Sequence, residues 1–142
     1  MAAGARHRLE DIGAQLVGEL PELEFMHIHK TGALIRAAVM LGFSCGKAAA
    51  EKPKLDKYAK AIGLAFQVVD DVLDYDGSTA TLGKTAGKDS KQGKPTYVTV
   101  VGLPQARRMA DELRGEAHAA LEGLAGARRL AELADFIVLR KF

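Results

Sequence analysis

Apolar residues recur every three or four positions along most of the chain, and this spacing predicts amphipathic helices. The first such run, from Leu9 to Leu20, is expected to end before Pro21, because the residue before a proline disfavours the α conformation. A second helix is predicted over 25–43. It is apolar nearly all round after Thr31, as expected of a helix that is buried on several sides.

The same period continues in a third helix from about Leu55 to Asp74 and then disappears, which predicts a loop from Tyr75 to Gly93. A loop of this length in a compact domain is generally functional or disordered. The period returns in a short turn over 96–101, a helix from Pro104 to about Gly123, and a last helix from Arg128 to Arg140. No segment alternates every two residues as a half-buried strand does, so the pattern predicts an all-α fold in one domain, 1–142.

Composition narrows the functional classes. The 142 residues are 48% apolar, which suits a single globular domain. Basic and acidic residues, 20 and 18 in number, are spread widely and give a net charge of +2, so the sequence predicts no nucleic-acid partner. The N-terminus has no apolar segment of signal type, and no run reaches the roughly 20 apolar residues of a membrane span. With Cys45 as the one cysteine, we expect a cytoplasmic protein.

Three aspartates, Asp70, Asp71 and Asp74, interrupt the apolar third helix. Asp70 and Asp74 lie on one face of that helix, and Gln67 joins them. A solvated surface stripe is disfavoured, since 61–69 contains one polar residue. The repulsion among the three carboxylates could be compensated by a lysine or arginine partner, by protonation of one acid, or by a hard divalent cation. In a fourth alternative, a metal ion and lysines share an anionic substrate.

The predicted loop carries lysines at positions 84, 88, 91 and 94, and Lys84 and Lys94 directly follow glycines. At such positions the backbone can approach a phosphate closely while the ammonium reaches the same oxygens. A solvated flexible loop is the alternative. Because the aspartates stand directly before this loop, the two together predict a metal-bridged diphosphate site.

A further polar group, His27, His29, Lys30 and Thr31, precedes the most apolar part of the second helix. We expect Lys30 and Thr31 to face Gln67 and Asp70. Two histidines at positions i and i+2 point in different directions on a helix, so ordinary polar contacts are favoured over a histidine metal site.

Four motifs in this order resemble the C-terminal half of the trans-polyprenyl diphosphate synthases, most closely the bacterial farnesyl or geranylgeranyl type: HKTGALIRAAV (29–39), GLAFQVVDDVLD (63–74), TATLGKTAGKD (79–89) and GKPTY (93–97). The resemblance implies an incomplete helical bundle of the isoprenoid synthase type around a deep cavity. In that family, facing aspartate-rich motifs hold magnesium ions on the diphosphate of an allylic substrate, which ionises and alkylates isopentenyl diphosphate.

Carried over by matching positions, Asp70, Asp71 and Asp74 are expected to be magnesium ligands, with Asp70 the direct one. Diphosphate binding is expected of Lys30, Lys84, Lys94 and Arg140. Together with Lys141, Arg140 resembles a basic tail that closes over isopentenyl diphosphate. Thr31 and Gln67 resemble the pair placed near the reacting carbons and the departing proton.

The family's first aspartate-rich motif is missing from this sequence. Three hypotheses follow: a fragment of a prenyltransferase that is inactive alone, a non-catalytic helical subunit of a heteromeric prenyl synthase, or an inactive remnant. For the first, we expect either a homodimer or a complementing N-terminal half as the partner.

Overall fold

The computed structural model describes residues 20–46, 49–82 and 95–141, with side chains in the second range as far as residue 77. Every regular element in these ranges is a helix, and none of them contains a strand, as the hydrophobic pattern predicts. None of the described helices is both long and apolar enough to cross a membrane.

Six helices and two short turns follow one another along the described ranges. Helix α1 is described over 20–27 and runs directly into a π-helical turn, Ile28–Gly32. The remaining elements are α2 (Ala33–Ser44), a 3₁₀ turn (Ala49–Glu51), α3 (Lys52–Leu82), α4 (Tyr97–Val101), α5 (Leu103–Ala120) and α6 (Arg128–Leu139).

Several predicted boundaries are wrong. Helical structure is already present at residue 20, before the predicted start at Phe25, and α3 continues two turns beyond Asp74, into the segment predicted as a loop. The extension is stabilised by tertiary contacts, since Tyr75 packs against the core and Asp76 pairs with Arg107 at 2.7 Å. Helix α5 ends at Ala120, before turns in which two glycines have positive φ. The helix predicted over 9–20 lies outside the described residues except for its last position.

The core consists of two clusters that lie toward the two ends of α3. Toward one end, Val68, Val69 and Val72 pack with Leu23 of α1 and with the buried residues of α4 and α5. Toward the other, a second cluster joins α3 to α5 and α6 around Tyr58, whose hydroxyl donates to the Leu130 carbonyl oxygen at 2.7 Å. The buried residues of α5 itself are all alanines, which allow its backbone to approach α3 closely: Ala106, Ala110, Ala117 and Ala120.

Helix α2 differs most from its prediction, because none of its residues is buried. Leu34 and Leu41 are 72% and 69% exposed. Its inner side packs on α3 through Ile35 and Val39, and no described element covers its outer side. The apolar character of α2 therefore produces an exposed apolar surface instead of a helix buried on several sides.

A close crossing fixes the π turn against α3. A Cβ atom placed on the buried Gly63 would lie 3.3 Å from the Gly32 Cα, so the two backbones meet with no room for a side chain between them. Since π turns inside helices frequently occur at functional sites, the crossing is also where a site is expected.

Candidate functional site

The π turn and α3 bring together several of the residues that the sequence predicts for the site. Lys30 is exposed and Thr31 half-buried on the turn, while Gln67 is half-buried on α3, one turn beyond Gly63. The pKa of the His27 imidazole is affected by three predicted site residues: by Gln67 through a hydrogen bond, and by Lys30 and Asp70 through their charges. A cation, an amide and a carboxylate therefore lie close enough to affect one imidazole at the helix crossing.

Asp70 has an arginine partner. The Arg140 guanidinium lies 3.6 Å from the Asp70 carboxylate, whose side chain is 55% exposed. The Arg140 side chain is only 9% exposed and lies over the Phe66 ring, 4.3 Å from its centroid. Arg140 directly follows α6, so this contact connects the end of the last helix to the aspartate motif. Of the compensating charges left open by the sequence, the structure contains the arginine.

The neighbouring aspartate has a different environment. The Asp71 carboxylate accepts a hydrogen bond from the Tyr97 backbone N–H at 2.8 Å, at the first residue of α4. A carboxylate at this place is favourable, because the first N–H groups of a helix have no partner inside the helix. Asp71 is half-buried, whereas Asp74 is exposed. The three aspartates therefore do not share one environment.

Two functional candidates outside the predicted set, His27 and Tyr97, lie beside these residues. Their rings are stacked with centroids 5.5 Å apart. Burial lowers the pKa of His27, a hydrogen bond with Gln67 acts in the opposite direction, and burial raises the pKa of Tyr97. His27 precedes Lys30 and Thr31 by three and four residues, the spacing of one helix face, which is the one sequence signal that places it with them.

The other histidine has separate contacts, as the sequence predicts. His29 Nδ1 is 2.8 Å from the Phe25 carbonyl oxygen, and its ring lies against the Phe25 ring. Among the described residues, no three His, Cys, Asp or Glu side chains form a group able to hold a metal ion. The two remaining predicted diphosphate ligands, Lys84 and Lys94, lie outside the described residues.

Comparison with known proteins gives a consistent set of relatives. A model of the polyprenyl synthetase family matches residues 8–125. Farnesyl diphosphate synthase of Escherichia coli K12 is 53% identical in an alignment of 127 residues that covers 85% of this chain and 42% of the relative. The chloroplastic geranylgeranyl pyrophosphate synthase 3 of Arabidopsis thaliana is 49% identical in an alignment of 124 residues that covers 85% of this chain and 34% of that protein.

A solved structure described as a farnesyl-diphosphate synthase from Marinomonas sp. MED121 superposes with a TM-score of 0.65 at 36% identity, covering 84% of this chain and 40% of that one. This similarity confirms the isoprenoid synthase type of helical fold predicted from the motifs. The chain spans about two fifths or less of the length of the relatives it matches.

Proposed function

Because the chain belongs to the polyprenyl synthetase family, we propose that it carries the C-terminal part of a prenyltransferase site that joins isopentenyl diphosphate to an allylic diphosphate. The observation that carries this proposal is the close crossing of the π turn, which bears Lys30 and Thr31, with α3, which bears Gln67 and Asp70 one and two turns beyond Gly63. An ammonium, an amide and a carboxylate at one helix crossing suit a ligand that combines a diphosphate with a short carbon chain.

Magnesium is the metal proposed for this site. Mg²⁺ prefers oxygen ligands and is usually held by one or two carboxylates together with substrate phosphates and water. The Asp70 and Asp74 side chains are exposed, whereas Asp71 is half-buried and accepts a hydrogen bond from the first N–H of α4. Since the described residues contain no three-ligand group, diphosphate oxygens or carboxylates of another segment must complete the site. When bound, the ion supplies Lewis-acid polarisation of the leaving diphosphate.

The chain's own residues divide the remaining tasks. Lys30 offers its exposed ammonium to the diphosphate. Arg140 pairs with Asp70 in the unliganded chain and, with a metal ion on Asp70, would be available to the diphosphate. Thr31 and Gln67 lie on the two sides of the crossing and are assigned to the reacting carbons. Lys84 and Lys94 stay sequence predictions for the diphosphate.

A non-catalytic subunit is the second candidate, and it is favoured by the exposed apolar side chains of α2. In that case the exposed side of α2 serves to bind another chain. The isolated half-site would then bind no diphosphate, and the two candidates can be separated by measurement.

Magnesium and pyrophosphate together are expected to raise the melting temperature more than either does alone, because a ligand that binds only the folded state stabilises it by mass action. Asp70→Asn should abolish this synergy, while Asp111→Asn, an exposed aspartate of α5, should retain it. Differential scanning fluorimetry measures both. An equal rise with calcium alone, or a rise that survives in Asp70→Asn, contradicts the proposed site.

Catalysis is tested by supplying the missing N-terminal part of a relative, as a fusion or a separate chain. Condensation of isopentenyl diphosphate with geranyl diphosphate should then be restored. Asp70→Ala should lower the restored rate by about 10²–10³, the usual loss for one group that stabilises developing charge. Restored turnover that is indifferent to Asp70→Ala would assign the aspartate a structural role.

A further inference from the structure

The Arg140 guanidinium contacts two side chains of α3. It lies 3.6 Å from the Asp70 carboxylate and 4.3 Å from the centre of the Phe66 ring. Asp70 follows Phe66 by four residues, so the two side chains lie on one face of α3, one turn apart. A cation over the face of an aromatic ring is attracted by that ring, and here the same cation also has a carboxylate partner.

The backbone confines this arginine to the site. Arg140 directly follows α6, and its backbone N–H donates to the Phe136 carbonyl oxygen at 3.1 Å. Helix α6 is in turn packed on α3 through Ala134 and Ile137, which are both buried. The guanidinium can therefore turn away from Asp70 by rotation of its side chain, but it stays beside α3 as long as α6 is packed there.

The two members of the ion pair differ in exposure. The Arg140 side chain is 9% exposed, whereas the Asp70 side chain is 55% exposed. A charge that is withdrawn from water needs a compensating partner, so the pairing matters more to the arginine than to the aspartate. Asp70 can receive a ligand from solvent while Arg140 remains over the Phe66 ring.

A ligand on either residue changes the charge that the other one meets. A divalent cation on the Asp70 carboxylate takes up its negative charge and repels the nearby guanidinium. An oxyanion beside Arg140 relieves that repulsion, and guanidinium groups bind oxyanions well because their N–H donors lie in one plane. Without the cation, the same oxyanion is repelled by Asp70.

We propose that Asp70 and Arg140 mask each other: in the chain without ligands, Asp70 occupies the anion site of Arg140, and Arg140 occupies the cation site of Asp70. Each ligand then displaces an internal counter-ion, so a divalent cation and a diphosphate bind more weakly alone than together. The identity of the two ligands rests on the proposed function. The masking itself rests on contacts within this chain.

Substitution of either partner should unmask the other. Arg140→Met keeps a long side chain over Phe66 and removes the charge. It should therefore raise the affinity of the whole chain for Mn²⁺ alone, measured by electron paramagnetic resonance, by about twofold to fivefold, the factor that corresponds to a partly exposed ion pair. Asp70→Asn should raise the affinity for pyrophosphate in metal-free buffer by a similar factor, measured by calorimetric titration. Arg140→Lys keeps the charge and should stay near the unsubstituted chain in both titrations.

The pair is responsible only if the gain disappears when both partners are changed. In an Arg140→Met background, Asp70→Asn should no longer raise the affinity for pyrophosphate. Arg128→Met and Asp111→Asn are the matched controls, since each removes the same charge from an exposed ion pair elsewhere. Both controls should leave the two affinities unchanged at physiological ionic strength, because distant exposed charges are screened.

Unchanged or weaker binding of Mn²⁺ by Arg140→Met would overturn the proposal. So would a gain in pyrophosphate affinity that persists without Arg140, because the aspartate would then repel the anion without masking any site. Thermal melts establish that the variants fold, and Arg140→Gln replaces Arg140→Met if the latter does not. A completed enzyme without turnover would reject the proposed function, whereas these titrations need no catalysis and still decide the masking.

Discussion

Adjacent aspartates of one helix have different physical roles here. Asp71 holds the first N–H of α4, so Asp71→Ala should lower the free energy of unfolding by about 1.5–3 kcal/mol, the usual range for a hydrogen bond to a charged group. Urea denaturation in the absence of magnesium measures this loss. Asp111→Ala is the control: Asp111 is 64% exposed and has a surface ion pair with Arg114, so its loss should stay within about 0.5 kcal/mol. Equal losses in the two variants would show that the contact of Asp71 with α4 adds no more to the free energy of unfolding than a surface ion pair does.

A second carboxylate, Asp135 of α6, makes stability depend on pH. His118 Nε2 lies 2.7 Å from it and Arg114 at 3.5 Å, and the hydrogen bond from His118, more than any other contact, lowers the pKa of Asp135 below 3.8. A carboxyl whose pKa is lower in the folded state stabilises the fold above its unfolded pKa, and this contribution is lost as pH falls through the folded pKa.

Asp135→Asn should therefore make the melting temperature less sensitive to pH below about pH 4, where the wild-type chain loses this contribution. The measurement is a series of thermal melts from about pH 6 to pH 2 for the two proteins. Parallel curves over that range would mean that the contact between α5 and α6 does not depend on the charge of Asp135.

At the scale of elements, the crossing of the π turn and α3 depends on two glycines. Alanine normally stabilises a helix interior by about 1 kcal/mol relative to glycine. Gly63→Ala should nevertheless destabilise the protein, because the new Cβ meets the Gly32 Cα at 3.3 Å and the backbones must separate. Gly115→Ala is the matched control on α5, where nothing lies within 4 Å of the new Cβ, and it should stabilise by up to about 1 kcal/mol. Chemical denaturation of both variants gives the comparison, and a gain in Gly63→Ala would show that the crossing is not tight.

The sequence predicted elements whose formation depends on local periodicity. The buried face of α3 follows from apolar residues three and four positions apart, and Pro104 marks the start of α5 as expected. The π turn was not predictable in this way, because it depends on the contact of Gly32 with Gly63 from a different helix. The two turns of α3 after Asp74 were also missed. Gly77 and its polar neighbours interrupt the apolar period, and tertiary contacts keep this segment helical in spite of that.

The candidate site shows the same division between local and tertiary information. Helical spacing placed Gln67 and Asp70 on one face of α3, whereas Lys30 was expected to face them only because it is a polar residue at the start of an apolar helix. The burial of His27 and its stacking on Tyr97 could not be predicted, because they are tertiary contacts between residues 70 positions apart in the chain. The attachment of Asp71 to α4 is likewise a contact between elements distant in sequence.

At the scale of the whole molecule, large apolar side chains are exposed on two helical surfaces. One surface is formed by α1, the π turn and α2, and the other by α6. Their exposed residues are Phe25, Met26, Ile28, Leu34 and Leu41 on the first and Leu133, Phe136 and Leu139 on the second. Monomeric proteins rarely expose contiguous apolar patches of more than a few hundred Å². Because these side chains are exposed, we expect another polypeptide segment or a second copy of the chain to cover the first surface.

The isolated chain is therefore expected to self-associate or to bind a hydrophobic dye, and the first surface should be responsible. Leu34 and Leu41 are seven positions apart, so they lie on one face of α2, and both are largely exposed. Replacing both with glutamine should reduce dye fluorescence and sedimenting oligomers with little change in melting temperature, because neither side chain contributes to the described core. Leu133→Gln together with Leu139→Gln, on α6, tests whether the effect belongs to α2 alone. A dye-free monomer with a sharp cooperative melt in the unsubstituted chain would contradict the prediction, since it would require this face to be tolerated in water.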